Sequence, residues 1–389
     1  MSRAHTWRPC ATAIVCAFVL AWSAGAEADA ENTGFVVGIG RSIHDPEAAT
    51  TAMFGLGVQS VRVDAPWASI EVARGRYEIP AWLEATVDTA REHGVEPLLI
   101  LEYGHPLYGM DKPRTDAAIG AFAAYASFVT KHFAGRVRWF DLWNEWDAHT
   151  GRTTPGSADD YVALARRVYP AIKAANPDAV VLTGGITSFG LAQGWMERFF
   201  ALGGARFVDG VSLHPYNFEQ RTANTPEAAI AELDRVHALA ANAGRALPIY
   251  VTEIGYPTFT GRGGVSRDTA AAYLARFVLL ASTRPFVAGV WWYCLRDQGS
   301  DPANKEHNFG VLDSALRAKP AADALRSVAA LLSGAGRFSA GAGSDRRVSA
   351  TAANGVEIAL AWRETDSSAP SLAELSAAAA RAAQVRQVR

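Results

Sequence analysis

The chain has 389 residues, 49% of them hydrophobic, and a mean hydropathy of +0.02, which is typical of a globular protein with a large buried core. Its formal net charge is −2 at pH 7, and no long run of basic residues occurs. The composition therefore indicates no surface for nucleic acid or anionic lipid, and we expect neither as a partner.

Residues 1–28 have the pattern of a secretory signal peptide. An apolar run over 10–22 is followed by small residues with two Ala-x-Ala cleavage options. The residues before this run include Arg3, His5 and Arg8. The run is too short to span a bilayer, although an uncleaved anchor is the alternative. We expect a secreted or periplasmic protein with no membrane span after cleavage, in which Cys294 is the one remaining thiol and no internal disulfide can form.

From Gly34 onward, strand-like and helix-like segments alternate along the chain. The predicted strands are 35–39, 60–64, 96–101, 138–143, 179–183, 208–213, 249–253 and 287–293. Helices are predicted over 46–56, 80–93, 115–133, 157–175, 225–243 and 319–332, with another beginning after Ser266. Capping signals support these helices, for example Ser157 at one N-terminus and Gly94 after one C-terminus.

Eight strands alternating with helices predict an α/β fold, a parallel (β/α)8 TIM barrel over residues 29–333. A doubly wound open sheet is the alternative. Such a sheet usually has a glycine-rich turn after its first strand, and residues 38–42 contain only an incomplete version of that turn. The barrel is therefore preferred.

The composition changes at Gly334, where Gly, Ala and Ser become dominant. Two short predicted strands then flank Asn354-Gly355, a good hairpin turn. We expect a small β-rich appendage over 334–366 that packs on the barrel. The alanine-rich tail over 367–389 is expected to be helical or disordered.

Two predicted strands end in a glutamate. Asn144 and Glu145 follow the fourth strand, and Glu253 ends the seventh. Catalytic residues of a (β/α)8 barrel lie at the C-terminal ends of its strands, so these carboxyl groups would face each other across the mouth. Retaining hydrolysis of a glycosidic bond needs two carboxyl groups about 5–5.5 Å apart, one protonated and one ionised. The pattern therefore predicts this chemistry.

Neighbouring side chains fit the two roles. Burial among tryptophans would raise the pKa of Glu145, as an acid requires. Arg62, at the tip of the second predicted strand, and Tyr216, just after the sixth, would hold Glu253 ionised. Asn144 would donate a hydrogen bond to a sugar hydroxyl beside the reacting carbon. No His, Asp and Glu residues have the spacing of metal ligands, so we expect no metal and no other cofactor.

These motifs resemble those of clan A of the retaining glycoside hydrolases. Trp143-Asn144-Glu145 is similar to the clan's acid/base motif after strand four, and Thr252-Glu253-Ile254-Gly255 to its nucleophile motif at strand seven. His214-Pro215-Tyr216 resembles the strand-six motif that supports the nucleophile, and Arg62 the strand-two arginine. The resemblance implies that Glu145 is the acid/base, that Glu253 is the nucleophile, and that Arg62, His214 and Tyr216 contribute to substrate binding.

Further features extend this resemblance over residues 34–332. Trp291-Trp292-Tyr293 lies where the clan has an aromatic platform under the sugar, which implies that Trp292 and Tyr293 bind substrate. The run over 308–312 is similar to family 39 and its relatives that cut bacterial exopolysaccharides. Other aromatic residues that could stack on sugar rings are Trp67, Tyr103, Trp195 and Phe259.

The preferred hypothesis is an exported retaining glycosidase that cleaves a poly- or oligosaccharide. A non-catalytic carbohydrate-binding barrel that acts in exopolysaccharide assembly or export is the alternative. A barrel lyase that uses one glutamate as a base is a third possibility. The intact pair of glutamates favours catalysis, because a binding protein does not need both carboxylates.

Overall fold

The computed structural model describes residues 34–341, 346–352 and 355–383. The predicted signal peptide, residues 1–28, lies outside the described residues. The described strands are β1 (Val36–Gly40), β2 (Ser60–Pro66), β3 (Glu71–Ala73), β4 (Arg76–Tyr77), β5 (Glu96–Glu102), β6 (Trp139–Leu142), β7 (Val180–Leu182), β8 (Ile186–Thr187), β9 (Val211–His214), β10 (Ile249–Ile254), β11 (Val287–Trp292), β12 (Ser339–Ala340), β13 (Arg346–Thr351) and β14 (Glu357–Trp362).

The described helices alternate with these strands over most of the chain. They are α1 (Glu47–Phe54), α2 (Trp67–Ile70), α3 (Ala81–Glu92), α4 (Asp116–His132), α5 (Ala158–Ala175), α6 (Ser188–Ala192), α7 (Trp195–Ala201), α8 (Pro226–Asn242), α9 (Arg267–Ser282), α10 (Pro320–Ala335) and α11 (Leu372–Ala383). Thr115, Ser157 and Ser266 each accept a hydrogen bond from a backbone N–H in the first turn of the helix that follows. None of the described helices has the length and apolar character needed to cross a bilayer.

The parallel strands form one closed sheet with neighbours in the order β7-β6-β5-β2-β1-β11-β10-β9-β8. The fifth barrel strand is divided into β7 and β8 by Gly184 and Gly185, which have φ values of 76° and 66°. Leu182 at the end of β7 pairs in parallel with Gly210, just before β9, and this pairing closes the ring. The predicted (β/α)8 barrel is therefore confirmed, and the open sheet is excluded.

Large side chains fill the inside of the barrel. A buried cluster contains one residue from each of five barrel strands: Leu98, Trp139, Leu182, Tyr250 and Trp291. The indole N–H of Trp291 donates to the Ser60 hydroxyl at 2.9 Å, so this buried donor is satisfied. A larger apolar cluster includes residues of both the strands and the surrounding helices. The interior is thus packed, and the open space lies at the mouth.

The C-terminal strands form a separate antiparallel sheet in the order β12-β13-β14. It contacts a buried ion pair that joins two barrel helices, between Arg276 of α9 and Glu227 of α8 at 2.6 Å. The Trp362 indole donates to Glu227, and Arg276 donates to the carbonyls of Glu364 and Asp366. Because both ions are buried, removing one partner would leave an uncompensated charge.

The described part of the tail forms α11, which packs against α10. The buried residues of α11 are Leu375, Ala378 and Ala382. The last six positions, 384–389, and part of the predicted hairpin turn, 353–354, lie outside the described residues.

Candidate active site

Glu145 lies just beyond the end of β6, where the backbone leaves the extended conformation. Trp143 and Glu145 have φ values of 81° and 51°, which are uncommon for residues other than glycine. The Glu145 amide donates to the Gly184 carbonyl at 2.8 Å, linking the ends of the fourth and fifth barrel strands. A Cβ at residue 184 would lie 2.3 Å from the Trp143 carbonyl oxygen, so glycine is required for this approach.

The Glu145 carboxyl group contacts a buried histidine. Nδ1 of His214 lies 2.9 Å from Oε1 of Glu145, and Nε2 lies 3.0 Å from the Thr252 hydroxyl. Burial lowers the pKa of His214 to about 4, so its ring is neutral at pH 7. A Cβ at Gly185 would lie 2.2 Å from His214 Nε2, so only glycine leaves room for this ring.

Burial also raises the pKa of Glu145 to about 7, although nearby positive charges, chiefly that of Arg62, act to lower it. Trp143 and Trp146 are fully buried beside it and pack edge to face with ring centroids 5.2 Å apart. The direction of this pKa shift agrees with the sequence-based expectation. A large fraction of Glu145 therefore carries its proton at neutral pH, as a general acid requires.

Glu253, near the end of β10, has a different environment. Arg62 Nη1 donates to Oε1 of Glu253, and the Tyr216 hydroxyl donates to Oε2 at 3.0 Å. Arg62 also forms an ion pair with Asp141 at 2.9 Å. Although burial acts to lower the pKa of Arg62, the carboxylates of Glu253 and Asp141 raise it. A permanent positive charge therefore contacts Glu253.

The Asn144 amide completes this network at the cleft surface. Its Oδ1 accepts from Arg62 at 2.8 Å, and its Nδ2 donates to the Tyr103 hydroxyl at 2.9 Å. These bonds fix the orientation of the amide, which has a second N–H available for a substrate hydroxyl.

The two glutamates lie close together at the barrel mouth. One ligand atom each of Glu145, His214 and Glu253 lies within 4.8 Å of the others. Carboxyl groups of retaining glycosidases are about 5–5.5 Å apart, and those of inverting enzymes roughly 6.5–9.5 Å. The same three residues are the candidate metal ligands in the described part of the chain. The spacing of these residues in the sequence did not show this cluster, because its members come from three different barrel strands. Each of the three side chains also forms hydrogen bonds with other protein groups.

A cleft of about 770 Å³ opens above this pair at the barrel mouth. Of the predicted site residues, the cleft is lined by Arg62, Asn144, Glu145, Tyr216, Glu253 and Tyr293. Lining residues that the sequence did not single out include Arg41, Asp64, Phe189, Glu219, Lys305 and Glu306.

Two of the predicted substrate-binding residues do not line the cleft. Trp292 is only 2% exposed and packs near Tyr256, at 6.2 Å between ring centroids. Successive strand residues alternate, so Trp291 points into the barrel and Trp292 toward the helices, and Tyr293 reaches the cleft from beyond the strand end. His214 is fully buried and contacts the Glu145 carboxyl group, so it does not reach the cleft.

The remaining predicted aromatic residues have mixed positions. Trp67 and Trp195 are buried and pack against other rings. Tyr103 lines the cleft, whereas Phe259 lines a neighbouring shallow pocket. Trp67 and Trp195 are therefore structural residues.

A second pair of carboxyl groups, those of Asp64 and Glu102, was not predicted from the sequence. Burial raises the pKa of both carboxyl groups. For Glu102 the neighbouring charge of Asp64 adds to this effect. Burial therefore favours the protonated form of both groups. Asp64 lies two residues after Arg62 in β2, which places both on one face of the strand, and this spacing was a usable signal.

Comparisons with known proteins agree with this geometry. The chain matches the family model described as Cellulase (glycosyl hydrolase family 5) over residues 33–294. No curated protein sequence matches the chain. A solved family 39 glycoside hydrolase from the gut symbiont Bacteroides cellulosilyticus WH2 is 26% identical, with a TM-score of 0.71, over 83% of this chain and 70% of that chain.

Two other solved structures show the same fold at lower identity. A monomeric β-xylosidase from Caulobacter crescentus CB15 is 17% identical, with a TM-score of 0.60, over 82% of this chain and 74% of that chain. A GH5_18 protein from Streptomyces cattleya in complex with Manβ1-4GlcNAc is 19% identical, with a TM-score of 0.62, over 76% of this chain and 80% of that chain. The clan predicted from the motifs is confirmed. The chain belongs to glycosyl hydrolase family 5 of clan A and is a retaining glycosidase.

Proposed function

We propose that this chain hydrolyses a neutral poly- or oligosaccharide by two displacements, with Glu145 as acid/base and Glu253 as nucleophile. The observation that carries the proposal is that the carboxyl groups of Glu145 and Glu253, which have oxygen atoms within 4.8 Å of each other, have different surroundings. Burial beside a neutral histidine keeps a proton on Glu145. Hydrogen bonds from Arg62 and Tyr216 fix the position of the Glu253 carboxyl group.

The first displacement forms a glycosyl ester. Glu145 gives its proton to the glycosidic oxygen as the bond to the anomeric carbon breaks, and a Glu253 oxygen bonds to that carbon. Glu145 is then ionised and takes a proton from water, whose oxygen displaces Glu253 from the sugar. Asn144 donates to the hydroxyl beside the reacting carbon and holds the ring in place. These roles favour hydrolysis over a non-catalytic binding barrel or a lyase, neither of which needs both carboxyl groups.

The cationic side chains Arg62, Lys305 and Arg41 that line the cleft already bond to protein groups, which supports a neutral substrate. Arg62 bonds to Asp141 and Glu253, and Lys305 forms an ion pair with Glu219 at 3.0 Å. The Arg41 guanidinium donates to Thr50, Thr86 and the Asp45 carbonyl. A uronate would therefore have to displace an existing partner. The similar structures from C. crescentus and S. cattleya, a β-xylosidase and a complex with Manβ1-4GlcNAc, also concern neutral sugars.

The pattern of residues 1–28 further supports export, with the substrate met outside the cytoplasm. The substrate proposal is tested with the purified mature protein on β-linked xylan, glucan and mannan beside polygalacturonate and alginate. We expect fragments from a neutral polymer, with products of retained configuration by proton NMR. Turnover of the uronates alone, or an inverted product, would contradict the proposal.

The pH dependence of kcat/KM tests the role of Glu145. Because the acid must be protonated and its pKa is raised to about 7, kcat/KM should fall as the pH rises through about 7. Glu145→Gln has no titrating group at this position, so this alkaline limb should disappear when the substrate has an activated leaving group. If the limb persisted in that variant, another residue would be the acid.

A further inference from the structure

Phe189 is an exposed aromatic side chain in the wall of the cleft. Among the large hydrophobic side chains exposed in the described part of the chain it is the sole aromatic one, and 66% of it is accessible. The others are Ile43, Val72, Leu107 and Met110, none of which lines the cleft. The other aromatic rings that line the cleft are buried or half-buried, so Phe189 offers its most accessible flat apolar surface to a ligand.

The backbone around Phe189 is anchored on both sides. Asp147 accepts hydrogen bonds from the backbone N–H groups of Thr187 at 3.2 Å and Gly190 at 3.1 Å. The Ser188 hydroxyl donates to Glu232 at 2.6 Å. A Cβ at Gly190 would lie 2.4 Å from an Asp147 carboxylate oxygen, so glycine permits this close contact. The ring is therefore presented from a fixed segment.

These anchors connect Phe189 to the acid/base residue. Asp147 follows Glu145 by two residues, and the Glu145 amide donates to the carbonyl of Gly184, two residues before β8, which leads directly to α6. The leaving group receives its proton from Glu145, so it lies beside this segment. Arg62, which bonds to Glu253, comes from β2, and several strands separate β2 from β8 in the sheet. The segment that carries Phe189 therefore lies on the Glu145 side of the cleft.

We propose that Phe189 is the stacking platform for a neutral pyranose on the leaving-group side of the cleaved bond. The apolar face of a pyranose ring loses water contact when it packs on the phenyl ring, and the exposed edge hydroxyls stay solvated. This inference rests on the proposed function, because the leaving-group side is defined by Glu145 as the acid.

The first test compares two substrates that differ only in their leaving group. A β-linked disaccharide places a sugar on Phe189, whereas the β-glycosyl fluoride of the same sugar leaves nothing there. Phe189→Ala should lower the ratio of kcat/KM for the disaccharide to that for the fluoride by roughly 10- to 100-fold. An equal loss on both substrates would place the ring on the other side and overturn the proposal.

Two further variants of Phe189 distinguish an effect of the flat aromatic ring from an effect of side-chain size. Phe189→Tyr should retain the native ratio, and Phe189→Leu should lose much of it, because only the first keeps a flat ring. Met110→Ala removes a 56% exposed side chain outside the cleft and is the matched control.

Measuring the binding of oligosaccharides to variants that do not hydrolyse them tests the role of Phe189 separately from the proposed hydrolysis. Affinities of E145Q and E145Q/F189A for β-1,4-linked tetrasaccharides of xylose, glucose and mannose are measured by calorimetry. A roughly 10- to 100-fold weaker binding of the preferred tetrasaccharide by the double variant supports the platform even if the native chain hydrolyses none of them. Equal affinities overturn it even if the native chain is an active glycosidase.

Discussion

Glu253→Gly is expected to lower hydrolysis by a factor on the order of 10⁶, as when the nucleophile of another covalent enzyme is removed. The truncation leaves a space opposite the leaving group, beside Arg62 and Tyr216. Azide can enter this space, because the Arg62 charge that held the carboxylate now favours a small anion. Direct attack on the anomeric carbon is a single displacement, so the glycosyl azide should have inverted configuration.

The measurement is the configuration of the azide product by proton NMR, with a substrate whose leaving group is activated. Glu219→Gly is the matched control, since Glu219 also lines the cleft but forms its ion pair with Lys305 and not with a partner of Glu145 or Glu253. This control should give retained product with and without azide. An inverted azide product from the control, or a retained one from Glu253→Gly, would remove Glu253 from the role of nucleophile.

The fold could be predicted because its signals are local. Apolar strands that alternate with capped helices predict a parallel barrel, and the confirmed barrel contains all eight of these strands. Strand bounds were less accurate. The sixth strand was predicted from 208 and begins at Val211, because Asp209 and Gly210 bond to the end of the fifth strand before β9 starts.

The glutamate pair could be predicted because a barrel brings the ends of its strands to one rim. The aromatic platform could not be assigned by motif alone. Whether Trp292 or Tyr293 reaches the cleft depends on the residue at which β11 ends, and a shift of one residue reverses the side chain's direction.

Phe189 had no signal in the sequence. It lies in α6, a helix of five residues, which is too short to show a hydrophobic period. Its exposure follows from the contact of Asp147 with Thr187 and Gly190, which are 40 or more residues away in sequence. Such a contact is a property of the packed barrel and not of the local chain.

Glu145→Gly is expected to affect substrates according to their leaving group. For a sugar leaving group, loss of the general acid should lower kcat by roughly 10²- to 10⁴-fold. A leaving group that needs no proton should still be expelled by Glu253, so that the first step stays fast and the glycosyl ester accumulates. Hydrolysis of the ester then becomes slow, because no base activates the water.

Azide is expected to accelerate this second step, because an anion needs no base and the truncation removes the negative charge that Glu145 would have carried. Two displacements then precede the product, so the glycosyl azide should have retained configuration, opposite to that from Glu253→Gly. Burst kinetics of leaving-group release and the NMR configuration of the azide measure both parts. Because the two glutamates are assigned to opposite faces of the sugar, the same configuration from both variants would show that their roles are assigned incorrectly.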